Sequence, residues 1–278
     1  MRKPIRLIVQ ADDFGMCHAV NQGVVRAFLE GILTQASVMV PCPWFPEAAV
    51  LAKRHGIPVG MHCTLTCEWD AMRWGPLTPG SSLVRPDGTF FESVERASAA
   101  VLTGEAAAEL EAQADAMTAL GLRPVFFDAH MGLVSRDACH HVCELYERPF
   151  ILPVVPRFVW LQSFLVLSPR PAEEKRSTLL EYLENLPGGI HLIQAHPAVA
   201  SAELRALAAP GSPAEPWTES YRVSDLCLLT DPEVKRLVKD RGMELISVAD
   251  LDERAISAGW PIPSLERRGG RARAGAAA

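Results

Sequence analysis

Carboxylate and imidazole side chains recur directly at the ends of strand candidates along this chain. Asp12 and Asp13 follow the first candidate, His62 closes the third, His130 follows the fourth and His196 follows the sixth. In a parallel βα barrel, residues just past the strand ends gather at one rim, where active sites lie. Two imidazoles and one carboxylate with open positions form a hydrolytic site for a divalent ion. The remaining carboxylate and imidazole would then be free for proton transfer.

The elements that must position these side chains alternate between short apolar runs and longer amphipathic stretches. Most of the runs are continuously apolar, which is typical of parallel strands covered on both faces. The strand candidates are residues 5–10, 36–40, 59–63, 125–129, 150–155, 190–195 and 244–248. The helix candidates are residues 18–30, 46–55, 103–120, 136–147, 172–185 and 231–241. This alternation predicts a single α/β domain, either a barrel or a doubly wound sheet.

Composition narrows the class of protein. The chain has 278 residues, of which 49% are apolar and 22% charged, with a formal net charge of −6. These values exclude a collagen, a disulfide-dense miniprotein and a wholly disordered chain. The mild acidity argues against nucleic acid as a partner. No apolar run approaches the roughly 20 residues that span a bilayer, so no membrane partner is expected.

Seven cysteines cannot all pair within the chain, and the first apolar run is too short for a secretory signal. We therefore expect a cytoplasmic protein with its cysteines as thiols. Cys63 with Cys67, and Cys139 with Cys143, have zinc-like spacing, but neither pair has a second matching half, so we interpret them as packing residues.

Two long segments interrupt the alternation, at residues 64–92 and 208–224, and long loops at one end of a barrel shape binding sites. Residues 263–278 are rich in Arg, Gly and Ala, and we expect a disordered tail there. Asp128 precedes His130 by two residues and so shares its side of the strand, where it would orient a ligand or act as a plain buried hydrogen-bonded carboxylate.

Four short motifs resemble those of a known family. Residues 11–15 (ADDFG) with Asn21, residues 60–62 (GMH), residues 128–130 (DAH) and residues 195–197 (AHP) occur in the order found in the YdjC-like carbohydrate deacetylases, the ChbG/HpnK group. The resemblance implies a distorted TIM-like (β/α) barrel with about seven parallel strands, spanning residues 1–262. It also implies one divalent metal ion, Zn²⁺ or Mg²⁺, and removal of acetyl groups from N-acetylated amino sugars or oligosaccharides.

The resemblance also assigns roles to single residues. Asp13, His62 and His130 would bind the metal, Asp12 would be the general base and His196 the general acid. After His130 the chain departs from many relatives, because Met131-Gly-Leu replaces a further run of histidines, and this leaves the sugar open. Five histidines fall outside the motifs and are interpreted as structural, namely His18, His55, His140, His141 and His191.

Aromatic and arginine side chains in the two long segments are candidates for substrate contact, because aromatic faces stack on sugars and guanidinium groups bind hydroxyls. The alternative is that they pack as local lids. The candidates are Trp69, Arg73, Trp74, Trp217 and Arg222.

Other functions remain open at this stage. Another metal-dependent barrel enzyme, such as a phosphoesterase or a sugar isomerase, and a non-catalytic sugar-binding barrel are the alternatives. The sequence shows neither the phosphate-binding loop nor the strand-end Lys or Glu that those two enzyme classes would favour. The oligomeric state also stays open, with a homodimer as one alternative.

Overall fold

The computed structural model describes residues 3–212 and 214–256, so the predicted tail lies outside the described residues. Seven strands are present in this part of the chain: β1 (Ile5–Phe14), β2 (Gln35–Val38), β3 (Val59–Cys63), β4 (Phe127–Ala129), β5 (Ser163–Val166), β6 (Gly189–Ala195) and β7 (Glu244–Leu245). They form one parallel sheet in which six strands follow the order β4-β3-β2-β1-β6-β5 and β7 pairs with β1.

Helices connect the strands. They are α1 (His18–Glu30), α2 (Phe45–His55), α3 (Val94–Ala100), α4 (Thr103–Ala119), α5 (Arg136–Leu145), α6 (Ala172–Asn185), α7 (Ala202–Arg205), α8 (Ser220–Leu229) and α9 (Pro232–Asp240). The predicted start of α9 is confirmed. Asp231 is the N-cap residue, whose side chain accepts hydrogen bonds from the Glu233 and Val234 amides, and Pro232 is the first helical residue. No helix within the described ranges is long and apolar enough to cross a membrane.

Strand β1 is the centre of the sheet. It pairs with β6 along Ile5 to Ala11 on one edge. On its other edge, its beginning pairs with β7 and its end with β2. From Leu7 onward every residue of β1 is buried, which accounts for its continuous apolar run.

The predicted α/β class is confirmed, and the predicted barrel is confirmed only in part. The path of described strands is open between β4 and β5, so the sheet is a half-barrel of six strands with β7 as an added short strand. The predicted strand at 150–155 is wrong. There, Phe150 makes only single bridges, to Phe127 and Phe158, and the fifth strand is β5. Pro153 has no amide to donate to a ladder, which disfavours a strand at that position.

Two further elements differ from the predictions. Part of the segment 208–224, predicted as loop, belongs to α8, and α3 was not predicted at all.

Side-chain alternation along the strands divides the core into two layers. Leu7, Val9 and Ala11 of β1 pack against the surrounding helices in the larger core. Ile8, on the opposite face, joins a smaller cluster inside the curved sheet together with Phe126, Ile190 and Leu192. Polar residues follow on this inner face two positions further along β1 and β6. The inner apolar cluster therefore packs directly beneath the polar residues of the site.

Candidate metal centre and active site

Adjacent residues Asp12 and Asp13 both face the inner cavity, although neighbours in a regular strand point to opposite faces. The backbone resolves this conflict at Asp13, whose φ of 66° lies in the left-handed region. The register of β1 against β2 also shifts between Ala11 and Phe14. The end of β1 therefore delivers two carboxylates to one site, at the cost of local backbone strain.

Three buried side chains bring potential metal ligands together. Oδ1 of Asp13 lies 3.3 Å from Nδ1 of His130 and 3.6 Å from Nε2 of His62. Ligand atoms about 2.0–2.2 Å from a tetrahedral zinc ion are about 3.3–3.5 Å apart, so this spacing fits such an ion. Oδ1 of Asp13 is fully buried without a hydrogen-bond partner in the described structure. A buried carboxylate oxygen left unpaired between two imidazoles fits a cation site.

Two further carboxylates fix the orientation of the imidazoles. Nδ1 of His62 lies 2.8 Å from Oδ1 of Asp128, and Nε2 of His130 lies 2.9 Å from Oε2 of Glu68. An ionised carboxylate only accepts hydrogen bonds, so each imidazole donates at that nitrogen. The other ring nitrogen faces Asp13 and is the one that would lose its proton to bind a metal, an arrangement common to metal-ligating histidines.

A second acidic group, formed by Asp12, His62 and Asp128, also has metal-like spacing. Its carboxylate oxygens are already used as acceptors. Asp128 accepts from Ser37 and His62 at Oδ1 and from Gln10 at Oδ2, and Asp12 accepts from Gln10 at Oδ1. The group containing Asp13 therefore fits a metal better, because its donor atoms are free.

The remaining pair of predicted catalytic side chains lies beside this group. Oδ2 of Asp12 accepts a hydrogen bond from Gln194 and lies 3.9 Å from Nε2 of His62 and 4.0 Å from Nε2 of His196. The His196 ring packs edge-on against Trp217, with centroids 5.3 Å apart. Nδ1 of His196 is buried and has no partner within the described ranges. Packing on Trp217 therefore restrains the His196 ring, and no carboxylate in the described ranges hydrogen-bonds to its Nδ1.

Burial and neighbouring charges shift the ionisation of these groups in different directions. Burial opposes ionisation of Asp13, but Arg222, His130 and His196 outweigh it and hold the pKa of that carboxyl well below its ordinary value. Burial raises the pKa of Asp12 despite the neighbouring imidazoles. Burial would lower the pKa of His130, yet Glu68 and Asp13 raise it to about 10.

A cavity of about 720 Å³ opens onto the site. Most of its polar side chains belong to the hydrogen-bonded network around Asp12 and Asp13, and His196 and Ser168 lie beside that network. The rest of its wall consists of glycine, aliphatic, methionine and aromatic residues. Among the predicted substrate contacts, Trp69, Trp217 and Arg222 line this cavity.

Arg73 and Trp74 do not line the cavity and instead stabilise the loop that contains them. Arg73 donates to the carbonyl oxygens of Trp69 and Phe90, and Nε1 of Trp74 donates to the carbonyl oxygen of Thr66 over 2.9 Å. These contacts match the alternative interpretation of the loop residues as local packing.

Sequence reasoning did not find several polar residues of the site. Glu68 falls in the long segment 64–92, and Gln10 and Gln194 fall within predicted strands. Gln10 precedes Asp12 by two positions, and Gln194 precedes His196 by two, so strand alternation was a usable signal for both. The contact between Glu68 and His130 joins residues 62 positions apart and left no local signal.

Comparison with known proteins places this geometry in a family. The profile of the YdjC-like protein family matches residues 6–240. The chain belongs to the YdjC-like family. Among relatives of this family member, the "Carbohydrate deacetylase" of Geobacillus stearothermophilus is 31% identical, over 88% of this chain and 97% of the relative. The "Chitooligosaccharide deacetylase" of Yersinia enterocolitica is 32% identical, over 88% of this chain and 98% of the relative.

A solved structure is similar to this family member in fold. The crystal structure of a putative cellobiose-phosphate cleavage protein from Enterococcus faecalis superposes with a TM-score of 0.73, over 88% of this chain and 98% of the other, at 23% sequence identity. This likeness concerns the fold, which extends over nearly the whole of both chains.

Proposed function

We propose that this protein is a metal-dependent hydrolase that removes acetyl groups from N-acetylated amino sugars or their oligosaccharides. The observation that carries the proposal is the buried Asp13 Oδ1, unpaired between the free nitrogens of His62 and His130. The names of the relatives, carbohydrate and chitooligosaccharide deacetylase, supply the substrate class. We also propose that the sheet is a distorted TIM-like barrel, since Phe150 bridges to β4 on the side where the strand path is open.

Asp13, His62 and His130 would hold the ion, and two imidazole ligands favour Zn²⁺ over Mg²⁺. A divalent ion at this position supplies an acidic water and an electrophile for the acetyl carbonyl oxygen. Asp12, which lies within the same cluster and is held by Gln10 and Gln194, accepts the proton of the attacking water. His196, whose Nε2 lies 4.0 Å from Oδ2 of Asp12, donates a proton to the departing amine.

Two buried donors at the cavity wall support a role in substrate binding. Nη1 of Arg222 and Nε1 of Trp69 have no partner within residues 3–212 and 214–256, although both side chains line the cavity. Buried polar groups in native proteins nearly always have a partner. We therefore assign these two donors to oxygen atoms of the substrate, with the Trp217 ring as an apolar contact.

The decisive experiment measures acetate release from N-acetylated chitooligosaccharides by the protein as purified, after chelation, and after readdition of Zn²⁺ or Mg²⁺. We expect activity that is lost with the metal and restored by one of the two ions, together with about one ion per chain by elemental analysis. An Asp12→Asn variant serves as the matched control for contaminating deacetylases. Metal-independent acetate release, or hydrolysis of p-nitrophenyl phosphate alone, contradicts the proposal.

A further inference from the structure

Helix α8 carries two buried, oppositely charged side chains three residues apart. Arg222 and Asp225 are 1% and 0% exposed, and their spacing places them on neighbouring positions of one helix face. Each contacts a different part of the candidate site, and the proposed mechanism gives neither contact a role.

Arg222 contacts the metal-binding half. Its Nη2 donates to Oδ2 of Asp13 over 2.7 Å, and its Nε donates to the carbonyl oxygen of Trp217 over 2.8 Å. This leaves Oδ1 of Asp13 as the oxygen that faces His62 and His130. The guanidinium thus fixes which oxygen of Asp13 is available as a ligand.

Asp225 contacts the proton-donating half. Its Oδ2 accepts a hydrogen bond from the backbone amide of His196 over 2.8 Å and another from Ser168 over 3.0 Å. Its Oδ1 accepts from Nζ of Lys175, on α6, over 2.6 Å. Lys175 is 0% exposed, so the Asp225 carboxylate is both buried and neutralised. The acceptor is therefore held rigidly where β6 ends and His196 begins.

We propose that α8 aligns the two halves of the active site with each other, with Arg222 and Asp225 as positioning residues. Arg222 fixes the orientation of the Asp13 carboxylate for the metal, and Asp225 fixes the position of the His196 backbone relative to Asp12. Because both side chains project from one short helix, a shift of α8 would disturb metal binding and proton donation together. This inference rests on the proposed function: its first half needs only the proposed metal site, which can be measured without turnover, and its second half needs the proposed reaction.

A positioning role for Arg222 and a purely electrostatic role predict opposite effects of its substitution on zinc affinity. A nearby cation repels a metal ion, so if charge alone mattered, Arg222→Gln would bind Zn²⁺ more tightly and Arg222→Lys would bind it as the parent does. If Arg222 orients Asp13, both variants lose the two-point guanidinium contact and bind Zn²⁺ about 10- to 100-fold more weakly. Calorimetric titration of the metal-free proteins with Zn²⁺ distinguishes the two. Tighter binding by Arg222→Gln, or unchanged binding by Arg222→Lys, overturns the proposal.

For Asp225, single substitutions would leave Lys175 as an unpaired buried charge and would threaten folding. Two double variants avoid this problem: Lys175→Met/Asp225→Asn keeps a side-chain acceptor for the His196 amide, and Lys175→Met/Asp225→Leu removes it. Both lack the buried charges and have similar volumes, so they differ chiefly in that acceptor. Thermal unfolding of both variants establishes that they fold.

The readout is the ratio of activities on two substrates. An N-acetyl amine needs a proton donor at its leaving nitrogen, whereas p-nitrophenolate departs from p-nitrophenyl acetate without one. We expect the Leu variant to lose about 10- to 100-fold in amide hydrolysis while keeping ester hydrolysis, as His196→Ala should. The Asn variant should keep the parent ratio. Equal losses on both substrates, or the same ratio in both double variants, overturn the role of Asp225. If the parent hydrolyses no acetamide, the proposed function fails while the zinc titrations still test Arg222.

Discussion

Nδ1 of His62 donates a hydrogen bond to Oδ1 of Asp128 over 2.8 Å, and this contact turns Nε2 of His62 toward Asp13. Asp128 is itself held by Ser37 and Gln10, from two other strands. The sheet therefore fixes the position of the Asp128 carboxylate, and this carboxylate fixes the orientation of the His62 imidazole. The sheet thus orients one proposed metal ligand through the Asp128 carboxylate.

Substitution of His62 should remove the metal. His62→Ala deletes one of three ligands, and we expect the purified variant to contain less than about a tenth of the parent metal by elemental analysis, because three protein ligands are typical of a catalytic zinc site. His141→Ala is the matched control, since His141 is exposed on α5 and its side chain pairs with Glu111, outside the candidate site. Full metal content in His62→Ala would disprove the assignment of this ligand.

Substitution of Asp12 should separate metal binding from turnover. Asp12→Asn keeps the shape of the side chain but removes the proton acceptor, and we expect acetate release to fall by about 10²- to 10⁴-fold. The metal content should match that of the parent, because Asp13 supplies the carboxylate ligand. Activity within tenfold of the parent would exclude Asp12 as the general base.

Two tryptophans of the same loop should respond differently to the same substitution. Trp69→Phe removes a buried N–H that has no protein partner, so we expect KM to rise about 3- to 10-fold. Trp74→Phe removes the donor to the Thr66 carbonyl, so we expect the free energy of unfolding to fall by about 1–3 kcal/mol with little change in KM.

Both changes replace a buried indole with a smaller ring, so their comparison controls for the lost ring volume. Denaturant unfolding and steady-state kinetics on one N-acetylated substrate supply the two readouts. An unchanged KM in Trp69→Phe would mean that its donor does not contact the substrate.

A glycine in α1 should prove necessary for the position of His196. A Cβ at Gly23 would lie 2.4 Å from Cα of Ala198 and 2.6 Å from the carbonyl oxygen of Pro197. Gly23→Ala should therefore push the segment after His196 outward, lower the free energy of unfolding by about 1–3 kcal/mol and reduce kcat.

Gly104→Ala is the matched control, because a Cβ at Gly104 on α4 meets nothing within 4 Å. In a helix this change stabilises by up to about 1 kcal/mol. If Gly23→Ala has the same free energy of unfolding as Gly104→Ala and keeps the parent kcat, α1 does not restrain His196.

The sequence was informative wherever a single element determined the outcome. The continuous apolar run of β1 and the polar residues that end it were predictable, because strand alternation and parallel topology put such residues at one rim. The fifth strand was not, since residues 150–155 have the apolar composition of a strand but pair only at Phe150.

The site was only partly predictable for a related reason. Asp12, Asp13, His62, His130 and His196 do meet, but nothing local predicts the left-handed backbone of Asp13 that lets two adjacent carboxylates share one cavity. Arg222 was expected at the substrate, and its ion pair with Asp13 joins residues 209 positions apart. Such contacts follow from the packing of whole elements and leave no short-range pattern.

The contact of Glu68 with His130 has a consequence for how this protein can change. Glu68 belongs to the long insertion after β3, the kind of segment that diversifies substrate choice, yet it also holds the imidazole of His130 in the candidate metal group. The insertion therefore cannot be exchanged freely between relatives. A chimaera that imports a foreign loop without an acidic residue at this place would lose the carboxylate that orients His130, and with it the proposed metal site, whatever it gains in substrate choice.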